Sequence, residues 1–271
     1  MGGLLDFHFM QNAYAAGTLV ALLAGTAGYF VVLRGQSFAA HMLSQVGFPG
    51  AAAGALLHVS PVLGLLVFCA AGALAVGGLG RDVDAGDRTQ SAAIGSILAL
   101  ALGLGLLFVR LHGGGTQLIY SFLFGAILGI TDADVQVTAA VAIAGLAFLA
   151  AIGRPLVFAS VDPDVADARG VPVRALAMAF LLILAISVAV TVQIVGTLLV
   201  FALLVAPGAA ALQVTARPVA GVAISVAVAV AVTWAGLALA YFTDLPVGFL
   251  VTTLALGAYA AARTARVLVP A

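Results

Sequence analysis

The chain has 271 residues, of which 64% are hydrophobic and only 7% are charged, and its formal net charge is zero. Soluble domains carry about 25% charged residues, so the composition excludes a water-soluble globule and indicates an integral membrane protein. A chain without net positive charge also lacks the basic footprint of nucleic-acid-binding proteins, and we expect no nucleic-acid partner.

Several kinds of site are excluded because residue types are missing. All acidic residues are Asp and all basic residues are Arg, so the sequence contains neither Lys nor Glu. A phosphate-binding P-loop requires Lys, and a helical zinc-protease motif requires Glu. Cys69 is the only cysteine, which excludes an intrachain disulfide and a thiolate metal cluster. We expect Cys69 to be a buried structural thiol.

The first half of the chain contains four apolar runs, each close to the 20 residues that a membrane-spanning helix needs. They cover residues 12–33, 37–58, 61–80 and 89–110. The following run, 117–130, is apolar but too short to cross. We expect it to form a re-entrant or buried half-helix.

The second half predicts five further runs. They cover residues 135–153, 175–195, 197–212, 219–242 and 246–262. Thr131 or Asp132 is a suitable N-cap for the first of them. The predicted fold is therefore an all-α polytopic membrane protein with about eight or nine transmembrane helices, in a single domain covering residues 1–271.

The arginines indicate how the chain is oriented. If the crossings alternate as predicted, nine of the ten arginines lie on one side of the membrane and only Arg110 lies on the other. The positive-inside rule makes the arginine-rich side cytoplasmic. We expect a multi-pass protein of the plasma membrane, with its N-terminus outside and its C-terminus in the cytoplasm.

A polar stripe interrupts the second apolar run. His41, Ser44 and Gln45 stand at positions i, i+3 and i+4, which share one face of a helix. Polar side chains are costly to place in a bilayer, so the stripe is a candidate functional site. The alternative is that these side chains form hydrogen bonds to a neighbouring helix.

The polar segment 154–174 contains start and stop signals for a short helix. Ser160 or Asp162 can cap it, Pro163 suits its first position, and Gly170 suits its end. The segment lacks the bulky apolar face and basic stripe of a helix that lies on lipid. Docking to a cytoplasmic partner is therefore the preferred interpretation.

Two isolated histidines lie near the predicted outer surface. His58 is close to the outer end of the second run, and His112 follows the fourth run. Either could help a metal ion to enter the protein. Ordinary interfacial histidines are the simpler interpretation, because single-residue metal ligands are rare.

Segments throughout the chain resemble one family. The segments are Phe30-Val31-Val32-Leu33-Arg34, Leu43-Ser44, Pro49-Gly50, Ala93-Ile94-Gly95, Phe122-Leu123-Phe124-Gly125, Asp132-Ala133-Asp134, Asp162-Pro163-Asp164, the stretch 166–173, Gln193, Val195-Gly196, Leu198-Leu199-Val200, and Ala202-Leu203-Leu204 with Pro207. In this order and spacing they are similar to the integral-membrane permease subunits of ATP-binding-cassette importers for zinc, manganese and related divalent metals.

This resemblance implies an assembly. Two permeases would form a homodimer, two separate ATPase subunits holding ATP and magnesium would bind on the cytoplasmic side, and an extracytoplasmic protein would deliver zinc, manganese or iron. The permease itself would be no enzyme and would bind no cofactor. The resemblance assigns ATPase docking to Asp162, Pro163, Asp164, Ala166, Arg169 and Gly170.

The sequence departs from the family at the polar stripe. The family usually has Asp and His at the positions of His41 and Gln45, whereas Ser44 matches. The resemblance makes His41, Ser44 and Gln45 the expected metal contacts, but the loss of a carboxylate weakens the case for hard cations such as manganese. A self-contained carrier or channel without an ATPase is the alternative function.

Overall fold

The computed structural model describes residues 7–79, 86–113, 122, 125, 129–243 and 245–268. This part of the chain contains ten helices and no strand. The helices are α1 (His8–Leu33), α2 (Ser37–Leu56), α3 (Pro61–Leu79), α4 (Gly86–His112), α5 (Asp132–Val161), α6 (Pro163–Ala168), α7 (Val173–Val195), α8 (Thr197–Val214), α9 (Pro218–Thr243) and α10 (Val247–Leu268).

The prediction of an all-α polytopic membrane protein is confirmed. Seven of the described helices are long and apolar enough to cross a membrane, and α2 and α8 pack among them with 20 and 18 residues. The predicted half-helix at 117–130 falls mostly outside the described residues. It therefore stays a prediction, as does the assignment of a single domain.

The clearest difference from the predicted boundaries is at the end of α5. The apolar run was expected to end at residue 153, but the helix continues through Arg154 and Pro155 to Val161. Leu156 and Ala159 are buried against the bundle, and this packing maintains the helix where its hydropathy falls. A helix need not end where the apolar run ends.

Contacts between the helices show their relative directions. Asn12 of α1 meets Asp132 of α5, and Arg34 beyond the other end of α1 meets Ser160 of α5. These two helices therefore run parallel. We call the two ends of the bundle the Asp132 end and the Arg34 end.

The other helices alternate between these ends. Gly17 of α1 faces Thr233 of α9, and Gly25 faces Val226, so α9 runs antiparallel to α1. The starts of α1, α3, α5 and α10 lie at the Asp132 end, where α2, α4, α7 and α9 finish, and α8 runs in the same direction as α1. This arrangement groups the described arginine side chains as the sequence predicts: Arg110 lies near the Asp132 end, and the others lie towards the Arg34 end.

Helix α1 is central to the bundle and contacts α2, α5, α7, α8 and α9. Its closest approach is to α8, where Gly28 lies against the backbone of Leu204. A Cβ atom on Gly208 of α8 would lie 2.6 Å from the carbonyl oxygen of Gly28. Small residues at helix crossings allow the backbones to come this close.

Candidate functional site

The middle of α2 is buried except at two polar residues. Between Ala39 and Gly54, every residue other than His41 and Gln45 is buried. These two side chains stand one turn apart on the same face of the helix. They are the part of the predicted stripe that is open for contact with a ligand.

Ser44 does not share this accessible face. Its side chain is fully buried, and its hydroxyl donates a hydrogen bond to the backbone carbonyl of His41 at 2.7 Å. Seen along the helix axis, Ser44 and Gln45 project to opposite sides of His41, and their side chains point about 100° apart. The accessible face of α2 that carries His41 and Gln45 is narrower than about 100°, so the geometry does not support Ser44 as a direct metal ligand.

The imidazole of His41 packs against α8. Its ring centroid lies 4.8 Å from that of Phe201, with an interplanar angle of 66°. The Nδ1 atom is buried and has no hydrogen-bond partner among the described residues. Histidines in resident metal sites usually donate this second nitrogen to a carboxylate or carbonyl, so His41 is better suited to transient contact.

The packing of α2 against α8 places one more polar residue, Thr197, at the same height in the bundle as Gln45. The two helices run in opposite directions, so one turn from His41 to Gln45 corresponds to one turn back from Phe201 to Thr197. Thr197 is fully buried, and within the described part of the chain its hydroxyl has no partner. Thr197 is not among the residues predicted for the site, although its hydroxyl interrupts an apolar run directly after Gly196.

A second polar group joins three helices at the Asp132 end. Asn12 Nδ2 of α1 donates to Asp132 Oδ1 at 2.8 Å, and Gln193 Nε2 of α7 donates to Asp134 Oδ1 at 3.4 Å. Thr131 is the N-cap of α5 and forms a capping box with Asp134. Both aspartates are thus engaged in holding α1, α5 and α7 together.

No resident metal centre is evident in the described ranges. No group of three or more His, Cys, Asp or Glu side chains there lies close enough to hold an ion. The metal contacts expected at His41 and Gln45 stay a prediction.

The predicted short helix in the polar segment is confirmed as α6. Asp162 is its N-cap, because Oδ1 accepts a hydrogen bond from the backbone N–H of Val165 at 3.0 Å, and Pro163 is its first residue. At its end, Gly170 adopts a φ of +83°. The Val171 N–H donates to the carbonyl of Ala166 at 3.0 Å, as in a Schellman motif.

The surface of α6 is free for a partner to contact. From Val161 to Gly170 every residue is exposed except Ala166, which is fully buried. Ala166 seats the helix on the bundle, so a direct contact from its side chain to a partner is not supported. The exposed members of the predicted docking set are Asp162, Pro163, Asp164, Arg169 and Gly170.

Comparison with known proteins agrees with this architecture. The sequence profile of the ABC 3 transport family matches residues 6–265. The chain belongs to the ABC 3 transport family. The family resemblance that the sequence segments indicate is therefore confirmed.

Two proteins named for manganese transport have similar sequences. The manganese transport system membrane protein MntC of Halalkalibacterium halodurans is 30% identical over 215 residues, covering 79% of this chain and 72% of that protein. The manganese import system permease protein ScaB of Streptococcus parasanguinis is 31% identical over 209 residues, covering 77% and 73%.

A solved structure shares the fold over nearly its full length. PsaBC from Streptococcus pneumoniae, solved in complex with a Fab, superposes with a TM-score of 0.84 at 26% identity, covering 98% of this chain and 97% of that one. Within this fold, His41 and Gln45 are the two residues between Ala39 and Gly54 of α2 that are not buried.

Proposed function

We propose that this chain is the membrane-spanning permease subunit of an ATP-driven importer of divalent metal ions. The observation that carries the proposal is the isolated accessible pair His41 and Gln45 in the buried middle of α2. Family membership and the manganese transport functions named for its relatives support it.

The chemistry of the pair suits a passing cation. His41 offers an imidazole nitrogen and Gln45 an amide oxygen, and neither carries a negative charge when the imidazole is neutral. Nitrogen ligands favour zinc and iron over manganese, which prefers charged oxygen ligands. Two neutral ligands hold an ion weakly enough for it to leave, as conduction requires.

The orientation follows from the arginines. Since the positive-inside rule places arginine-rich ends in the cytoplasm, the Arg34 end faces the cytoplasm and the Asp132 end faces outward. The N-terminus is then outside, the C-terminus is cytoplasmic, and α6 projects from the cytoplasmic surface. During alternating access, the space beside His41 and Gln45 would open first to the Asp132 end of the bundle and then to the Arg34 end.

The expected partners are those that would supply ATP hydrolysis, for which this chain lacks a P-loop Lys, and those that could bind the exposed helix α6. Without Lys it has no P-loop for ATP, so the ATPase is a separate subunit that docks on α6. Family resemblance supports a homodimer of this chain, a cytoplasmic ATPase dimer, and an extracytoplasmic protein that brings metal to the Asp132 end.

Reconstitution tests this proposal. The chain would be co-expressed with a candidate partner ATPase, purified, and placed in liposomes, and ATP-dependent uptake of zinc, manganese and iron would be measured. We expect stable co-purification and uptake that His41→Ala reduces at least about tenfold, the loss expected when one of two ligands is removed. His8→Ala, which removes an exposed imidazole at the Asp132 end, should leave uptake unchanged.

Two results would overturn the proposal. Metal flux through the chain alone, without ATPase or ATP, would favour a self-contained carrier or channel. Full uptake by His41→Ala in an assembled transporter would remove the α2 pair from the pathway.

A further inference from the structure

Two histidines that are far apart in sequence meet at the Asp132 end of the bundle. His58 follows α2 and His112 is the last residue of α4, and their ring centroids lie 6.3 Å apart with an interplanar angle of 59°. Both side chains are exposed. The parallel course of α2 and α4 brings the two imidazoles together.

We propose that His58 and His112 form a two-imidazole capture site for a borderline divalent cation such as Zn²⁺. The inference rests on the proposed function and deepens it, because it assigns a metal contact at the outward entrance. The site is separate from the His41 level, since 17 residues of helix correspond to about 25 Å at 1.5 Å per residue.

The backbone at His58 holds its imidazole in a restrictive conformation. The His58 N–H donates to the carbonyl of Ala55 at 3.2 Å, and the Val59 N–H donates to that of Gly54 at 3.0 Å, which completes a Schellman motif. His58 is the left-handed residue of this motif, with a φ of +56°, where Gly or Asn is usual. His is among the residue types enriched in this conformation, and the motif fixes where the His58 side chain leaves the backbone.

The helix ends favour a cation between the two rings. Both α2 and α4 terminate here, and the C-terminal carbonyls of a helix carry partial negative charge. Arg110 is the nearby described group that opposes a cation. It precedes His112 by two residues, and residues at that spacing project from nearly opposite sides of a helix.

The distance between the rings is close to what a shared ion requires. Zinc binds imidazole nitrogen at about 2.0–2.1 Å, which places two ring centroids on one ion roughly 5–6 Å apart. Small side-chain rotations of these exposed residues cover the difference from 6.3 Å. Two protein ligands leave positions on the ion for water or for a ligand from a delivery protein, so the ion can exchange.

Equilibrium binding of Zn²⁺ alone to the purified full-length chain tests the site. The variants are His58→Asn, which keeps a residue suited to the left-handed conformation, His112→Gln, and the double variant. We expect each single variant to lose at least about tenfold in affinity for one Zn²⁺. The double variant should lose less than the two single losses combined, because both imidazoles bind the same ion and the first removal already abolishes chelation.

His8→Asn is the matched control, since it removes another exposed imidazole from the same end of the bundle. Wild-type affinity in either single variant would overturn the site. Losses that add in the double variant, or an equal loss in His8→Asn, would also overturn it.

Uptake by the assembled transporter separates this inference from the proposed function. At limiting zinc, His58→Asn should slow uptake severalfold, and at saturating zinc the rate should recover, whereas His41→Ala should be slow at both. If wild-type complexes show no ATP-dependent uptake while Zn²⁺ binding still depends on both histidines, the proposed function fails and the site stands.

Discussion

Arg34 Nη1 donates a hydrogen bond to Ser160 Oγ at 3.1 Å. Arg34 lies between α1 and α2, and Ser160 lies in the last turn of α5, directly before α6. The guanidinium carbon also lies 5.8 Å from the ring centroid of Phe180 in α7. One side chain thus connects the helix that carries His41 with the segment proposed to dock the ATPase, and such a contact can transmit movement between them.

Replacing Arg34 should weaken this connection. We expect Arg34→Gln to reduce ATP-driven uptake severalfold while co-purification with the ATPase is retained, because α6 itself is unchanged. The lost hydrogen bond from a charged donor should also cost about 1.5–3 kcal/mol of stability. Initial uptake rates in proteoliposomes check the first effect, and thermal unfolding checks the second.

Three further variants make the Arg34 test more specific. Ser160→Ala removes the acceptor but keeps the contact with Phe180, so its effect should be smaller, and the double variant should resemble Arg34→Gln. Arg217→Gln removes an exposed arginine at the same end and should transport normally. Wild-type uptake by Arg34→Gln would contradict the connection.

The end of α6 offers a test of ATPase docking. At Gly170 the φ of +83° disfavours any residue with a Cβ atom by about 1–2 kcal/mol. Gly170→Ala should therefore distort the end of the docking helix and reduce co-purification of the ATPase. Asp164→Asn, which changes only an exposed side chain in the first turn, should weaken co-purification without affecting the fold.

Gly113→Ala is the matched control for the backbone strain. Gly113 has a similar φ of +69°, and no atom lies within 4 Å of the point where its Cβ would stand, but it lies at the opposite end of the bundle. It should bear the same strain and leave ATPase binding intact. Normal ATPase binding and uptake by both Gly170→Ala and Asp164→Asn would show that α6 is not the docking surface.

The helices could be predicted from the sequence because their signals are local. In a bilayer the backbone must satisfy its own hydrogen bonds, so an apolar run of sufficient length becomes a helix. The caps at Thr131 and Asp162 and the end at Gly170 also depend only on nearby residues. The continuation of α5 to Val161 was missed because it depends on packing of Leu156 against other helices.

The site was only partly predictable because it depends on which helices are neighbours. A helical wheel places His41, Ser44 and Gln45 on one broad face but does not show where the buried part of that face begins. The contact of His41 with Phe201 joins residues of α2 and α8. The pairing of His58 with His112 likewise requires α2 and α4 to run side by side.

Close packing at the α1–α8 crossing predicts a large effect from one methyl group. A Cβ on Gly28 would overlap the carbonyl of Leu204, and overpacking typically destabilises by about 1–3 kcal/mol. Gly28→Ala should therefore lower the melting temperature, measured through the fluorescence of Trp234, the only tryptophan. Gly103→Ala in α4 is the control, because no atom lies within 4 Å of its Cβ position.

The Gly103→Ala control should be neutral or slightly stabilising, since Ala favours a helix over Gly by up to about 1 kcal/mol. Equal melting temperatures for Gly28→Ala and Gly103→Ala would show that α1 and α8 are not packed this closely.

The pair in α2 should set the choice of metal. The double variant His41→Asp with Gln45→His introduces the Asp and His that the family resemblance implies, and it adds a carboxylate beside a pair that otherwise offers one imidazole and one amide. Because manganese prefers charged oxygen ligands, we expect the ratio of manganese to zinc uptake to rise at least about tenfold, which corresponds to about 1.4 kcal/mol of relative affinity. Competition uptake in proteoliposomes, with both metals at equal concentration, measures this ratio directly.

His41→Asp alone should give part of the rise in the manganese-to-zinc ratio, and Gln45→His alone should give little, since only His41→Asp adds negative charge. If the double variant still transports metal and the ratio stays unchanged, then discrimination lies elsewhere in the pathway, and His41 and Gln45 do no more than line it.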